Sequence, residues 1–443
     1  MKVDVQVISR YTIKPSSPTP DHLQHYPLSF LDQINPPVFM PLVLFYPSDQ
    51  NHLITSTPGP GKLNQLKKSL SEALTRFYPL AGRLIDNTYV DCNDEGIPYV
   101  EARASCGLSD FLDNPIPGEL NKFLPCDLDD VKDIGMVIQV TLFECGGVAV
   151  GVAISHKIAD ATSLFLFVTS WATISRRDSH DTPSPIFESA AIFPPRDVAG
   201  YNHALGMVKK DEIVTKRLVF TATKIASLRE KYTTNSNTAT GDEYHQIRPT
   251  RIEALSAFIW TRFLTATTGH KVNRDKMYML NHAVNLRPRM HPPLSECYFG
   301  NLSRPAITIP SFDNDEQGYG IVNQVRVAIR NVGGDQYVTK LREGDKHLNF
   351  IRERAKLVNK GEVVSFSFTS LCRFPSYEAD FGWGKPVWIG SASLTFKNLV
   401  VFLDTRSGDG IEAWINMKLE DMAKLEADKE LLKYVSTSTD AKT

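Results

Sequence analysis

Residues 136–160, MVIQVTLFECGGVAVGVAISHKIAD, decide the fold. Residues 137–144 and 148–155 are almost uniformly apolar, as strands buried on both faces are, and Cys145-Gly146-Gly147 between them is a hairpin signal. The second strand runs straight into His156. After Asp160 the spacing changes to Leu164, Phe165, Phe167, Val168 and Trp171, a buried helix lasting to about Ser175. A hairpin feeding a helix predicts a mixed α/β fold.

On the N-terminal side, residues 3–9 place Val3, Val5 and Val7 on one face, the period of a half-buried strand. Residues 38–46 are more uniformly apolar, although Pro41 restricts that strand to an edge or a bulge. Residues 62–77 form a helix whose apolar face is Leu63, Leu66, Leu70, Leu74 and Phe77, and Pro79 and Gly82 stop it. On the C-terminal side, residues 176–214 hold Pro183, Pro185, Pro194 and Pro195 with little periodicity, and read as a linker. Beyond it the pattern predicts a strand over 216–220, a helix over 222–232 and a polar loop over 233–248. Thr250-Arg251-Ile252-Glu253 is a capping box ahead of Leu255, Phe258, Ile259 and Phe263, so a helix begins there. A strand over 276–286, a helix over 320–332, a long charged helix over 336–360, and strands over 363–372, 399–403 and 411–415 complete the chain. The reading is α/β in two parts: an N-terminal domain over 1–180, a crossover linker over 181–214 and a C-terminal domain over 215–443, with a short segment near 381–400 crossing back to the first domain.

Composition removes several classes of function. With 49 Lys plus Arg against 50 Asp plus Glu, the 443-residue chain carries a formal charge of -1, too little to gather nucleic acid or anionic lipid. The six cysteines never fall in a C-x-x-C pair, so zinc ribbons, redox dithiols and disulfide scaffolds lack their spacing. The first twenty residues lack a basic stretch followed by an apolar run, and the longest weakly polar stretch, 148–154, is far short of the roughly 20 residues of a membrane helix. The expectation is a cytoplasmic chain with no membrane and no nucleic-acid partner.

Two constellations carry chemistry. In Ser155-His156-Lys157-Ile158-Ala159-Asp160 an imidazole ends a strand and a carboxylate starts a helix. His156 reads as a general base or as a structural histidine, and Asp160 as a group that holds the turn or caps the helix. A metal would need a third ligand at suitable spacing, and none is found. In Asp380-Phe381-Gly382-Trp383-Gly384-Lys385-Pro386 two glycines bracket an indole, which reads as backbone brought close to a ligand or as a tight structural turn.

Together these motifs resemble the hallmark H-x-x-x-D and D-F-G-W-G of the plant BAHD acyltransferase family. Phe77-Tyr78-Pro79-Leu80-Ala81-Gly82-Arg83, Val90-Asp91-Cys92-Asn93, Ala283-Val284-Asn285-Leu286-Arg287 and Tyr298-Phe299-Gly300-Asn301 look like further family segments in the right order, so the resemblance covers nearly the whole chain. Ser155 to Asp160 and Leu403 to Gly410 look especially like the clade of vinorine synthase and related alkaloid or alcohol acetyltransferases. The resemblance implies two chloramphenicol-acetyltransferase-like domains, each a mixed sheet with flanking helices, around a solvent channel. Acyl-CoA would enter from one face as co-substrate, with no bound cofactor, and a small-molecule acceptor from the other. It implies that His156 is the catalytic base, that Asp160 pairs with Arg287 to hold geometry, and that Asp380 is structural. Trp383 and Thr369 are oxyanion candidates by the same analogy.

Condensation domains of peptide synthetases carry paired histidines where this chain has Ser155-His156, and serine hydrolases need G-x-S-x-G, which Gly390-Ser391-Ala392-Ser393-Leu394 does not supply. Leu302 stands where many malonyl-transferring members have cysteine, which points to acetyl-CoA. The expected protein is a monomeric O-acetyltransferase of a plant specialised metabolite such as an alkaloid or terpenoid alcohol. The alternatives are an N-acyltransferase on an amine and a catalytically silent member that binds a small molecule or a protein.

Overall fold

Alternating and continuous apolar runs assemble into two six-stranded sheets in the computed structural model, which describes residues 2–48, 60–130, 132–177, 182–199, 213–237, 244–269, 275–310, 319–343, 345–394 and 396–436. In the first sheet the order is Val5–Ile13, Ile97–Ala104, Met136–Phe143, Val148–Ser155, Phe39–Tyr46 and Trp388–Gly390. Met136–Phe143 and Val148–Ser155 pair antiparallel around Gly146-Gly147, and every residue of both is buried. The helix Ala161–Ser175 follows. It packs against Pro60–Arg76, where Trp171 Nε1 donates to Ser69 Oγ at 3.1 Å.

The second sheet runs Ser303–Thr308, Met277–Asn285, Val363–Ser370, Leu399–Asp404, Ile411–Lys418 and Ile213–Phe220. Helix Arg251–Thr268 covers it, started by the predicted capping box: Glu253 N donates to Thr250 Oγ1 at 3.2 Å and Thr250 N to Glu253 Oε2 at 2.8 Å. Trp388–Gly390, from the late part of the chain, pairs with Phe39–Tyr46 and so completes the first sheet.

The strand that holds Pro41 is neither the edge nor the bulged strand expected, since it lies between Val148–Ser155 and Trp388–Gly390 and pairs with the former without a register shift. Trp388–Gly390 pairs only with residues 43–45, so the strand is interior there while the ladder on that side stops short of Pro41. Three further expectations change. Val7 is 41% exposed instead of sharing a buried face with Val3, because a bulge between Val7 and Ser9 breaks the alternation of Val5–Ile13. The polar stretch 233–248 contains a hairpin, Thr234–Asn237 against Tyr244–Ile247, since polar sequences pair when backbone bonding alone closes the ladder. The predicted 336–360 helix is two helices, Asp335–Arg342 and Asp345–Asn359.

The proline-rich stretch is tied to both parts of the chain where it is described. Phe30 N donates to Phe193 O at 2.9 Å, and Ile186 N to Cys297 O at 2.8 Å. Residues 178–181 and 200–212 of that stretch lie outside the described residues.

Candidate active site

His156 sits where the Val148–Ser155 strand ends. Its own N–H donates to Val38 O at 2.8 Å and that of Ser155 to Gly135 O at 2.8 Å, so the backbone entering the turn is fixed on both sides. Three residues on, Ala159 O lies 3.0 Å from His156 Nδ1. A carbonyl only accepts, so Nδ1 carries the proton and Nε2 keeps its lone pair. Burial depresses the ring below its ordinary value, outweighing the Ala159 bond, the Asp160 charge and the Asn301 side chain, which favour the cation. The neutral, Nε2-accepting ring is the form a base requires.

Asp160 points away from that nitrogen. As the N-cap of Ala161–Ser175 it accepts from Ser163 N at 3.0 Å, and it takes Leu302 N at 3.0 Å. Arg287 grips it with Nη1 to Oδ2 at 2.7 Å and Nη2 to Oδ1 at 3.1 Å, and the same guanidinium donates to Tyr298 O at 2.7 Å and Gly300 O at 3.1 Å. Burial pushes the carboxyl up, but the Arg287 charge and these donors hold it below the usual range. Gly300 adopts φ +121° here, and a Cβ would meet Ser189 Oγ at 2.7 Å, so only glycine fits.

A second buried web holds the histidine from the other side, and sequence reasoning missed it. Asn301 Nδ2 donates to His156 O and to Asp32 Oδ1, both at 2.8 Å, and Asn301 N donates to the same oxygen at 2.8 Å. Asp32 also closes a capping box with Ser29. Lys157, fully inside, donates Nζ to Gln33 O at 2.7 Å and Asn35 O at 2.9 Å, and burial pulls its pKa down to about 7 against the pull of Asp32. Ser29-Phe30-Leu31-Asp32 reads as a capping box, which was the available signal for Asp32.

His156 lines a cavity of about 1330 Å³ between the two sheets, with Val38 to Pro41 and Leu164 on one wall and Asn281, Ser365, Ser367, Thr369 and Val401 on the other. A single drug-sized ligand needs roughly 300–1,000 Å³, so this space suits two substrates. The polar wall follows from VVSFSFTS: Phe366 and Phe368 face the core, which leaves Ser365, Ser367 and Thr369 toward the cavity. Asn281 Nδ2 donates to Ser365 Oγ at 2.8 Å.

The structure brings His156 and Thr369 to this cavity, and sets Asp160 and Arg287 behind it. Trp383 does not line it: its ring packs edge-on against Tyr46 at 6.0 Å and beside Phe381 at 5.7 Å, with Lys62 over its face. Asp380 organises the loop, accepting from Gly382 N at 2.8 Å and Gly384 N at 2.9 Å through one oxygen. Both glycines have positive φ, 103° and 98°, which this ring of bonds requires. Among the described residues no group of His, Cys, Asp and Glu could hold a metal ion, and no cysteine lines the cavity.

Residues 3–432 match the Transferase family. The chain is 36% identical to stemmadenine O-acetyltransferase of Catharanthus roseus, covering 97% of each chain. It is also 36% identical to a limonoid 21-O-acetyltransferase of Melia azedarach, over 98% of this chain and 99% of that one. The crystal structure of vinorine synthase superposes with a TM-score of 0.83 at 33% identity, covering 98% of this chain and 99% of that one.

Proposed function

We propose, from the premise that the chain belongs to the BAHD Transferase family and is an acyltransferase, that it moves an acetyl group from acetyl-CoA to a hydroxyl of a polycyclic plant metabolite. The relatives support the donor and the acceptor class, since they are named as O-acetyltransferases. One observation carries the mechanism: His156 opens on the cavity with Nδ1 engaged by Ala159 O and Nε2 free to accept. Nε2 takes the proton of the acceptor hydroxyl as its oxygen attacks the thioester carbonyl. The tetrahedral intermediate then expels the coenzyme A sulfur, and the imidazolium returns the proton to it. Net, an ester and a free thiol form from an alcohol and a thioester.

The oxyanion of that intermediate wants a donor aimed at it, worth a few kcal/mol. Of the two candidates Thr369 lines the cavity and Trp383 does not, so the reading rests on Thr369. Asp160 and Arg287 act through geometry, and Asp380 shapes its loop. Among the described residues no helix is long and apolar enough to cross a membrane, and the proposed enzyme is a monomer working in the cytosol. The test is release of free coenzyme A from acetyl-CoA with and without a panel of polycyclic alcohols. Acceptor-dependent release with a matching ester supports transfer, whereas equal release without acceptor leaves only thioester hydrolysis.

A further inference from the structure

The cavity wall carries a cation that the transfer chemistry does not use. Arg304 Nη2 lies 2.8 Å from His347 Nε2, and since a guanidinium only donates, that ring nitrogen is an unprotonated acceptor. Burial and the neighbouring Arg304 charge push His347 down to about 3, so it adds no second charge. The Arg304 charge also acts on the Tyr337 hydroxyl, opposing the rise that burial causes there. Arg304 Nε is buried without a partner, and among the described residues no carboxylate pairs with Arg304. Arg304, Tyr337 and His347 all line the cavity that holds His156.

Charge along the rest of the wall points the same way. Lys276, Lys397 and Lys418 line it with Arg304, and the one carboxylate there among the described residues, Asp421, is 3.6 Å from Lys424. A half-buried guanidinium with no counter-ion is costly unless a ligand oxygen completes it. A protonated amine in the same place meets like charge. Arg304 shares this cavity with His156 and stands three residues after Asn301, whose amide holds the His156 carbonyl.

We propose that Arg304, set by His347 and Tyr337, reads an anionic or carbonyl oxygen on the acceptor and turns away acceptors with a protonated amine there. This rests on the acetyl-transfer reading and narrows its acceptor to oxygenated polycyclic alcohols, with a carboxylate as the strongest ligand.

The experiment is calorimetric titration of the full chain, saturated with coenzyme A, with a tricyclic hydroxy acid, its methyl ester and the matching primary amine. The expected order is acid, then ester, then amine, with roughly tenfold or more between the ends. Arg304→Met abolishes the advantage of the acid and Arg304→Lys keeps part of it. Equal binding of acid and amine, an unchanged order in both variants, or binding of none of the three overturns the assignment. Acetyl transfer is run in parallel: the predicted order without ester product sinks the transfer reading and leaves the Arg304 site, and product without the order does the reverse. A change confined to KM for malonyl-CoA in both variants places the anion on the donor and refutes an acceptor site.

Discussion

Arg287, fully enclosed, meets Asp160 across 127 residues of sequence with two parallel hydrogen bonds, 2.7 and 3.1 Å. Its remaining N–H groups go to the carbonyls of Tyr298 and Gly300 and to Asn285 Oδ1, so the guanidinium ties the first turn of Ala161–Ser175 to the Tyr298–Asn301 segment of the other half. Such a pair contributes by leaving nothing unmatched, and taking one partner away strands the other charge in the interior.

Arg287→Ala and Asp160→Asn are each expected to lower unfolding stability by about 3–5 kcal/mol, with activity falling alongside. The double variant is expected to lose much less than the sum, because the second removal strands nothing further. Additive losses in denaturant titrations of the four proteins would mean that the two residues act separately.

His156→Ala is expected to lower kcat roughly 10²- to 10⁴-fold with acyl-CoA affinity unchanged, the usual worth of a positioned base. Because burial depresses the ring below its ordinary 6.5, the neutral base persists as pH falls, and the acid limb of kcat/KM is expected below pH 6.5. A limb above that value in the wild type, or a variant with near-normal turnover, removes His156 from this role.

How much of this could be read from the chain depends on distance along it. The capping box at Thr250 and Glu253 and the Gly146-Gly147 hairpin are local, and they form as their residues dictate. Val7 misled because a bulge shifts the register without any mark in the side-chain pattern. Asp32 and Asn301 are 269 positions apart, and no periodicity brings such residues together. His156 and Thr369 were legible through motifs, whereas Trp383 was misjudged as a cavity residue because an indole between glycines reads the same whether it faces a ligand or packs on Tyr46.

Asp32→Asn and Asn301→Ala test that distant web. Either change releases the His156 carbonyl or its anchor, and a displacement of the base by about 1 Å costs up to about 10²-fold in rate. The expected signature is a lowered kcat with little change in KM for acyl-CoA, and Asp32→Asn should retain more activity than Asp32→Ala. Loss of melting temperature with kcat per folded molecule unchanged would make the web structural only.

His282 supplies a pH test of stability. It stacks on Phe368 at 4.8 Å, neither ring nitrogen has a partner among the described residues, and burial lowers its pKa to about 4 against 6.5 for the free group. The unfolded chain therefore binds a proton that the folded chain refuses, so stability falls as pH drops from about 6.5 to about 4 and then levels off, by about 3 kcal/mol. His282→Phe should keep the stacking and make the fall in melting temperature between pH 7 and pH 5 shallower. An unchanged slope would assign the acid sensitivity to other groups, His347 first.

The order of events is the last expectation. A covalent acyl-enzyme needs an activated nucleophile, and no cysteine lines the cavity, while burial and the Asp404 charge push the Cys372 thiol up to about 12. A thiol held so far from ionisation is a poor nucleophile near neutral pH. Both substrates must then be present together, with the acceptor oxygen attacking the thioester directly under His156. Initial rates with both substrates varied should give intersecting double-reciprocal lines, and intact mass after incubation with acetyl-CoA alone should show the unmodified chain. Parallel lines, or an added acetyl mass that chases into ester on adding acceptor, would show that the acyl group rests on the protein and that direct attack is wrong.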